Sequence, residues 1–126
     1  MVHFHYCHWL AAAALVAAAV ASPNEPLTLQ LFDPADVHTR CLDGSPAGFY
    51  FRPAAEASSA RKWVFYMEGG GLCQTPADCL NRSHTDLGSS KAWPSTWIDP
   101  TGLLTSNTSI NPWAAYNHVW LRYCSG

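Results

Sequence analysis

The sequence predicts an α/β fold built on a mostly parallel sheet, of which the 126 residues supply an incomplete part. Two runs of aromatic and β-branched residues, 62–67 and 118–123, have the composition of buried strands. Between them, a triple glycine is followed by the helix-start pattern TPAD at 75–78. Strand, glycine turn, helix and strand in this order make a βαβ unit, whose two strands pair in parallel.

The other elements follow from local signals. Residues 22–34 form a proline-containing leader that we expect to be extended or loosely ordered. Residues 48–52 are an aromatic strand that Pro53 ends, and a short helix is predicted over about 76–82. The run at 62–67 predicts a strand buried on both faces in the middle of a sheet. Residues 83–111 are long for a loop, which predicts a further short helix or a substrate-facing excursion.

A single βαβ unit leaves sheet edges unpaired and its helix layer incomplete. We therefore interpret residues 22–126 as the N-terminal portion of a larger domain. The segment LAAAALVAAAVA at 10–21 has the length of a signal peptide and ends in an A-x-A cleavage signature. It is too short to span a bilayer, and a buried helix with so many alanines would offer little side-chain area to pack. A signal peptide over residues 1–21 predicts a secreted protein, and sequons at Asn81 and Asn107 predict glycosylation.

Charge and composition exclude several function classes. The net charge is −2, and seven basic residues are scattered without forming a patch, so nucleic acid is not an expected partner. After the leader no apolar run is long enough for a membrane span. No two histidines have the spacing of metal ligands, so neither a metal nor a cofactor is predicted. The sequence does not indicate an oligomeric state.

The cysteine count indicates disulfides. Cys7 leaves with the signal peptide, and the four that remain are Cys41, Cys73, Cys79 and Cys124. An even number in an oxidising compartment predicts two bridges, and the count alone leaves three pairings open.

The segment EGGG at 68–71 is the main candidate for chemistry. Glycines lack a Cβ atom, so their backbone N–H groups can lie directly against a ligand. Two such groups can stabilise an oxyanion, and losing one donor costs about 3–4 kcal/mol of transition-state stabilisation. HGGG-type loops do this in α/β-hydrolases; here Glu68 replaces the histidine. A plain glycine turn into a helix explains the spacing equally well. A phosphate-binding loop does not fit, because no lysine follows Gly71.

The segment CLDGSPAGFY at 41–50 resembles the C-x-D-G-S-P-A-G-Y-Y signature of the pectin acetylesterase and Notum family. The similarity continues through KWV at 62–64, EGGGLC at 68–73, LGSSKAWP at 87–94 and NP at 111–112, and ends at YC, 123–124. These motifs span most of residues 22–126 in the family's order. The resemblance implies an α/β-hydrolase fold with a Ser-His-Asp triad.

The resemblance also implies roles for individual residues. The backbone N–H groups of Gly70 and Gly71 are the expected oxyanion donors. Glu68 is expected to orient the loop, and a purely structural, hydrogen-bonded carboxylate is the alternative. Leu72 departs from the tryptophan that plant-type members usually have at this position.

The same resemblance selects among the disulfide pairings. Cys73 and Cys79 are expected to fasten the glycine loop to the helix that follows. Cys41 and Cys124 are expected to tie the first motif to the last strand.

No catalytic nucleophile is found in the sequence. The G-x-S-x-G elbow of α/β-hydrolases does not occur. Ser45 follows its glycine directly, and Ser89 and Ser90 lack the second glycine, so we interpret all three as structural. Without an elbow, no Asp or His can be assigned as acid or base. We therefore expect the nucleophile, acid and base to be absent from this chain, and the chain alone to be inactive.

These observations predict a secreted carboxylic ester hydrolase. By resemblance it is a pectin acetylesterase that removes acetyl esters from homogalacturonan in the cell wall. Its partner would be acetylated pectin or another acylated polysaccharide or protein. One alternative is a Notum-like palmitoleoyl-protein carboxylesterase, which needs a deep apolar pocket. Another is an inactive or sugar-binding product whose tryptophans stack on sugar rings; the candidates are Trp93, Trp97, Trp113 and Trp120, of which Trp120 is expected in the core.

Overall fold

A computed structural model describes residues 24–126, so the predicted signal peptide lies outside the described residues. The regular elements are β1 (Leu27–Leu31), β2 (Gly48–Arg52), a 3-10 turn (Ala57–Ser59), β3 (Trp63–Met67), α1 (Pro76–Arg82), β4 (Thr96–Trp97) and β5 (Asn117–Leu121). Between residues 24 and 126 there is no helix with the length and apolar character of a membrane span.

The five strands form one mixed sheet in the order β3-β5-β2-β1-β4. β3 and β5 run parallel, with Tyr66 opposite Trp120, and the other three neighbouring pairs are antiparallel. The predicted βαβ unit is therefore present as β3, α1 and β5. Within residues 24–126, parallel pairing is confined to this unit.

Strand β2 and helix α1 have their predicted bounds, whereas two further strands lie in segments with a weaker strand pattern. β1 lies in the segment expected to be a loose leader, where its backbone pairs with β2 and Leu27 is fully buried. Residues 83–111 contain β4, which extends the sheet beside β1. Strand pairing, rather than a helix, organises this excursion, and the N–H of Leu29 donates to the carbonyl of Ser95 at 2.9 Å.

The core lies on one face of the sheet. Its buried side chains include Leu27, Tyr50, Leu104 and Trp120. The rings of Tyr50 and Trp120 stack at 5.3 Å, and the Tyr50 hydroxyl donates to the carbonyl of Pro94 at 2.7 Å. Trp120 is thus a core residue, as expected.

The opposite face of the sheet is not covered by residues 24–126. We call it the aromatic face, and its apolar members are Phe32, Phe49, Phe51, Trp63, Phe65, Val119 and Leu121. The prediction that residues 62–67 form a strand buried on both faces in mid-sheet was wrong for this part of the chain. β3 is an edge strand, and Phe65 is 58% exposed, because no described element packs on this face or pairs with its outer edge.

Candidate active site

The glycine loop begins where β3 ends and runs alongside the segment that follows β5. The N–H of Glu68 donates to the carbonyl of Leu121 at 3.0 Å, and the N–H of Cys73 donates to the carbonyl of Gly126 at 2.8 Å. Both ends of the loop are therefore held against residues 121–126. The loop lies at the carboxyl end of the parallel strand pair, where α/β proteins place ligand sites.

The carbonyl groups of the two predicted oxyanion residues are fastened, and their N–H groups are not. Arg82 Nη1 donates to the carbonyl of Gly70 at 2.6 Å, and the Tyr123 hydroxyl donates to the carbonyl of Gly71. The N–H groups of Gly70 and Gly71 donate to no residue within 24–126. The carbonyl of Gly70 shares its peptide plane with the N–H of Gly71, so Arg82 fixes the plane that carries this unpartnered N–H. A fixed plane with an unpartnered N–H is what stabilisation of an oxyanion requires.

Glycine is required at two of the three positions, for two different reasons. Gly71 has φ +71°, in the left-handed region that favours glycine. At Gly70 a Cβ atom would lie 2.0 Å from Cδ1 of Tyr123, so the requirement there is steric. A Cβ at Gly69 would meet nothing within 4 Å. Gly70 and Gly71 therefore each require glycine, whereas the space around Gly69 would accommodate a side chain.

Glu68 points back into the protein. Its Oε2 accepts the N–H of Tyr123 at 3.0 Å and lies 2.8 Å from Nε of Arg122. The Glu68 and Arg122 side chains are only 19% and 7% exposed. The Arg122 guanidinium sits over the rings of Trp93 and Trp120, 4.6 and 4.5 Å from their centroids. These contacts suit a carboxylate that orients the loop.

Two disulfides frame the site. Cys73–Cys79 joins the glycine loop to α1, with 5.0 Å between the Cα atoms. Cys41–Cys124 ties the signature segment to the chain after β5, with 4.8 Å between the Cα atoms. Both pairings are those implied by the resemblance. In the loop-entropy model the long bridge contributes about 4–5 kcal/mol of stability and the short one about 2 kcal/mol.

Helix α1 begins as its sequence predicts. Thr75 is the N-cap and its Oγ1 accepts the N–H of Asp78 at 3.1 Å, while Pro76 occupies the first turn. The Asp78 Oδ2 accepts the N–H of Gln74 at 3.0 Å. These bonds satisfy N–H groups at the start of the helix and fix the direction in which the chain leaves the glycine loop.

The serines near the signature segment have structural roles. Asp43 accepts hydrogen bonds from both the N–H and the hydroxyl of Ser45, and Lys91 Nζ lies 3.0 Å from its Oδ2. The Ser45 Oγ in turn accepts the N–H of Ser90 at 3.0 Å. Burial opposes ionisation of Asp43, but hydrogen bonds from Ser45, Ser89 and Lys91 outweigh it and hold its pKa well below the usual range. Ser45, Ser89 and Ser90 are buried, so none is placed as a nucleophile.

His118 lies at the beginning of β5, whereas the glycine loop lies beside the strand's other end. The His118 side chain is fully buried. Its Nδ1 is 3.1 Å from Nη2 of Arg52 and 2.8 Å from the carbonyl of Tyr116. Burial, followed by the positive charge of Arg52, lowers the pKa of His118. His118 is thus a buried neutral histidine within the fold, and it does not reach the glycine loop.

The tryptophans do not form a common platform. Trp93 and Trp120 are buried, and Trp97 packs on Trp120 with 4.4 Å between ring centroids. Trp113 is 46% exposed. The predicted glycosylation site at Asn81 is exposed on α1, and Asn107 is half-buried. Within residues 24–126 no group of three His, Cys, Asp or Glu side chains could hold a metal ion.

Sequence reasoning missed the residues that hold the loop from outside its motif. Arg82, Arg122 and Tyr123 were not singled out as site residues, although each contacts the glycine loop or Glu68. Tyr123 belongs to a family motif, which was the only available signal. Arg82 and Arg122 resemble ordinary surface cations in the sequence, and only the fold brings them to the loop.

Comparison with known proteins identifies the class and then the family. The fold matches the crystal structure of the Wnt deacylase Notum from Drosophila with a TM-score of 0.66 and 34% identity, over 79% of this chain and 28% of that one. The predicted α/β-hydrolase-like class is therefore confirmed. The family model for pectinacetylesterase matches residues 20–126. The chain belongs to the pectinacetylesterase family.

Relatives from animals and plants are similar to nearly the same degree. Mouse palmitoleoyl-protein carboxylesterase NOTUM is 40% identical over 105 residues, which are 81% of this chain and 20% of that protein. Pectin acetylesterase 5 of Arabidopsis thaliana is 37% identical over 109 residues, which are 85% of this chain and 25% of that protein. The chain thus spans between a fifth and a quarter of the length of these relatives.

Proposed function

We propose that this chain supplies the oxyanion side of a secreted carboxylic ester hydrolase that removes acetyl esters from homogalacturonan in the cell wall. The observation that carries this proposal is the pair of peptide groups at Gly70 and Gly71. Arg82 fastens the Gly70 carbonyl, which lies in the same peptide plane as the Gly71 N–H, and Tyr123 fastens the next carbonyl, that of Gly71. The N–H groups of Gly70 and Gly71 have no partner within residues 24–126. Family membership supplies the reaction class.

The chemistry that this arrangement supports is acyl transfer. A serine hydroxyl attacks the acetyl carbonyl while a histidine takes the serine proton. The carbonyl oxygen becomes an oxyanion, which the N–H groups of Gly70 and Gly71 stabilise. Collapse of this intermediate breaks the bond to the sugar oxygen, which takes the proton from the histidine and leaves as a hydroxyl. Water then attacks the acyl-enzyme and releases acetate.

We propose that the serine lies outside residues 1–126. These residues contain no G-x-S-x-G elbow, and the serines of the nearest patterns, Ser45 and Ser90, are buried and hydrogen-bonded. The outer edge of β3 and the aromatic face are both open. An open edge accepts a further strand, and an apolar face of an α/β sheet is normally covered by helices. A strand added parallel to β3 would end next to the glycine loop.

A Notum-like deacylase is the second candidate, because identity to mouse NOTUM is as high as identity to the plant enzyme. Leu72, directly after Gly71, is 77% exposed and presents an apolar side chain beside the proposed oxyanion site. A long acyl chain would gain more from such a neighbour than an acetyl group, because the gain from burial grows with the apolar area removed from water. Acyl-chain preference therefore separates the two candidates.

The first experiment measures whether the chain alone is a catalyst. We expect hydrolysis of p-nitrophenyl acetate by the purified chain to remain at the level of a heat-treated control. If turnover is seen, Ser90→Ala tests the nearest approximation to an elbow serine. Robust turnover that Ser90→Ala abolishes would refute the proposal that the nucleophile lies elsewhere.

The second experiment asks whether the loop works when a nucleophile is provided. Residues 24–126 replace the matching segment of Arabidopsis pectin acetylesterase 5, and acetate release from acetylated homogalacturonan is compared with hydrolysis of a palmitoleoyl ester. We expect the graft to release acetate. Gly71→Ala in the graft should lower kcat by about 100-fold, because alanine disfavours φ +71° and turns the N–H away from the oxyanion, with an effect as large as loss of a donor. Gly69→Ala is the matched control and should leave kcat unchanged.

The outcomes of the graft are distinct. A preference for the palmitoleoyl ester would favour the Notum-like candidate. A graft that melts like its host and has no activity on either ester would contradict the hydrolase proposal. Binding of oligogalacturonides by that inactive graft, lost in Trp113→Ala, would favour the sugar-binding alternative.

A further inference from the structure

We infer that Arg122 is a positioning residue for the oxyanion loop, acting through the carboxylate of Glu68. This inference rests on the proposed role of Gly70 and Gly71. Arg122 does not touch either glycine; it fixes Glu68, the residue from which the loop departs. The Arg122 Nε lies 2.8 Å from Oε2 of Glu68, and the Arg122 side chain is 7% exposed.

The guanidinium contacts two aromatic rings. The ring centroids of Trp93 and Trp120 lie 4.6 and 4.5 Å from its central carbon. A planar guanidinium over aromatic rings combines cation–π attraction with stacking, which a lysine ammonium cannot reproduce. Its Nε–H is not aligned for a hydrogen bond to the carboxylate, so the contact is an ion pair. Because little water reaches it, this pair is screened less than one on the surface.

Glu68 in turn helps to hold the loop through its contact with Tyr123. The same Oε2 that faces Arg122 accepts the N–H of Tyr123 at 3.0 Å. The Tyr123 side chain then packs against Gly70, and its hydroxyl donates to the carbonyl of Gly71. One residue therefore contacts the beginning of the loop through its backbone and the two glycines through its side chain. Loss of the Arg122 charge frees Glu68, and with it the Tyr123 peptide.

The consequence is local. Releasing Glu68 changes the orientation of the Gly70 and Gly71 peptide planes and leaves the β1–β2 ladder intact. Arg82 holds the carbonyl of Gly70 from α1 independently, so we expect the loop to shift and not to unfold. If the ion pair instead supported the whole sheet, its loss would disturb the structure far from the loop as well.

The test is an NMR experiment on the full chain labelled with 15N-glycine, which gives signals from eight glycines. We expect Arg122→Met to displace the amide signals of Gly70 and Gly71 while that of Gly48, in β2, stays in place. Arg122→Lys restores the charge but not the stacking, and should shift the same two signals less. Arg61→Met removes an exposed cation and is the matched control, which should move neither signal.

Glu68→Gln provides a second route if Arg122→Met does not fold. The amide oxygen can still accept the N–H of Tyr123, so a small displacement confined to Gly70 and Gly71 is expected. Unchanged Gly70 and Gly71 signals in folded variants would overturn the inference. A comparable shift of all eight glycine signals would also overturn it, because it would show a global structural role.

This readout does not depend on activity. An inactive graft would contradict the proposed function even if Arg122 positions the loop. Conversely, unshifted glycine signals would contradict the inference about Arg122, and an active graft would still support the proposed function.

Discussion

Alanine substitutions along residues 69–71 test the geometry of the glycine loop, because each position makes a different demand. Gly69→Ala places its Cβ in open space, and we expect a free energy of unfolding that is unchanged or raised by about 0.4–1 kcal/mol. Gly71→Ala keeps nearly open space but must adopt φ +71°, which costs about 1–2 kcal/mol. Gly70→Ala meets the Tyr123 ring, so its cost is steric.

The cost of Gly70→Ala can be worked out from its contacts. The added Cβ would lie 2.0 and 2.2 Å from Cδ1 and Cε1 of Tyr123, closer than any real contact. Moving the ring costs about 1–3 kcal/mol as overpacking and breaks the hydroxyl bond to Gly71, worth about 1 kcal/mol. We expect a total loss of about 2–4 kcal/mol. Tyr123→Ala removes the obstacle, so Gly70→Ala should cost less than about 1 kcal/mol in that background.

Urea unfolding followed by tryptophan fluorescence measures each free energy. The diagnostic quantity is the coupling between Gly70→Ala and Tyr123→Ala, expected at about 1–3 kcal/mol. Gly71→Ala should show almost no such relief, because its strain lies in its own backbone. Equal costs for Gly70→Ala with and without the tyrosine ring would refute the steric reasoning. A Gly69→Ala variant as unstable as Gly70→Ala would refute it as well.

Three further predictions concern stability. The pKa of His118 is lowered, so as the pH falls the unfolded state binds a proton before the folded state does. The free energy of unfolding should therefore fall by up to about 1.4 kcal/mol per pH unit below about pH 6.5. Urea melts over a pH series should show this decrease in the parent and not in His118→Gln, and identical profiles would contradict the burial of His118 beside Arg52. Asp43→Asn removes a carboxylate whose pKa is held low, and should cost about 1.5–3 kcal/mol at pH 7. Because that stability is lost progressively as the pH falls from about 4 toward the low pKa of the folded state, the difference in melting between the two proteins should narrow steadily from about pH 4 to about pH 2, and a constant difference would contradict the low pKa. Replacing both Cys41 and Cys124 with serine should cost about 4–5 kcal/mol in the loop-entropy model, and a thermal melt identical to that of the parent would refute the pairing.

Elements with local signals could be predicted from the sequence, and elements that depend on pairing could not. Pro53 ends β2, and the TPAD pattern begins α1, so both bounds were predicted. β1 consists mainly of leucine and contains Gln30, with Thr28 as its one β-branched residue, so its local strand signal is weak, and it exists because its backbone pairs with β2. The exposure of β3 could not be predicted either. An aromatic and β-branched composition is typical of a buried strand, but it does not show which segment of the protein covers it.

The features of the candidate site also differ in whether a local sequence pattern indicates them. The glycine motif indicated which peptides to examine, and the family resemblance supplied the disulfide pairings. Whether Gly70 or Gly69 is the sterically demanding position depends on Tyr123, which lies more than 50 residues away in the chain. The pairing of Glu68 with Arg122 likewise requires the parallel register of β3 and β5, in which Met67 faces Leu121. No pattern within either segment contains that information.

The strand order has a consequence for biosynthesis. β5 is the last of the described strands to leave the ribosome, yet it lies between β3 and β2 in the sheet. Until residues 117–121 emerge, no strand connects β3 to β2, and the aromatic side chains of both strands remain exposed to other nascent chains. Closing contacts over so many residues is slow. The segment therefore folds only after most of it has been synthesised, and we expect it to depend on chaperones during that interval.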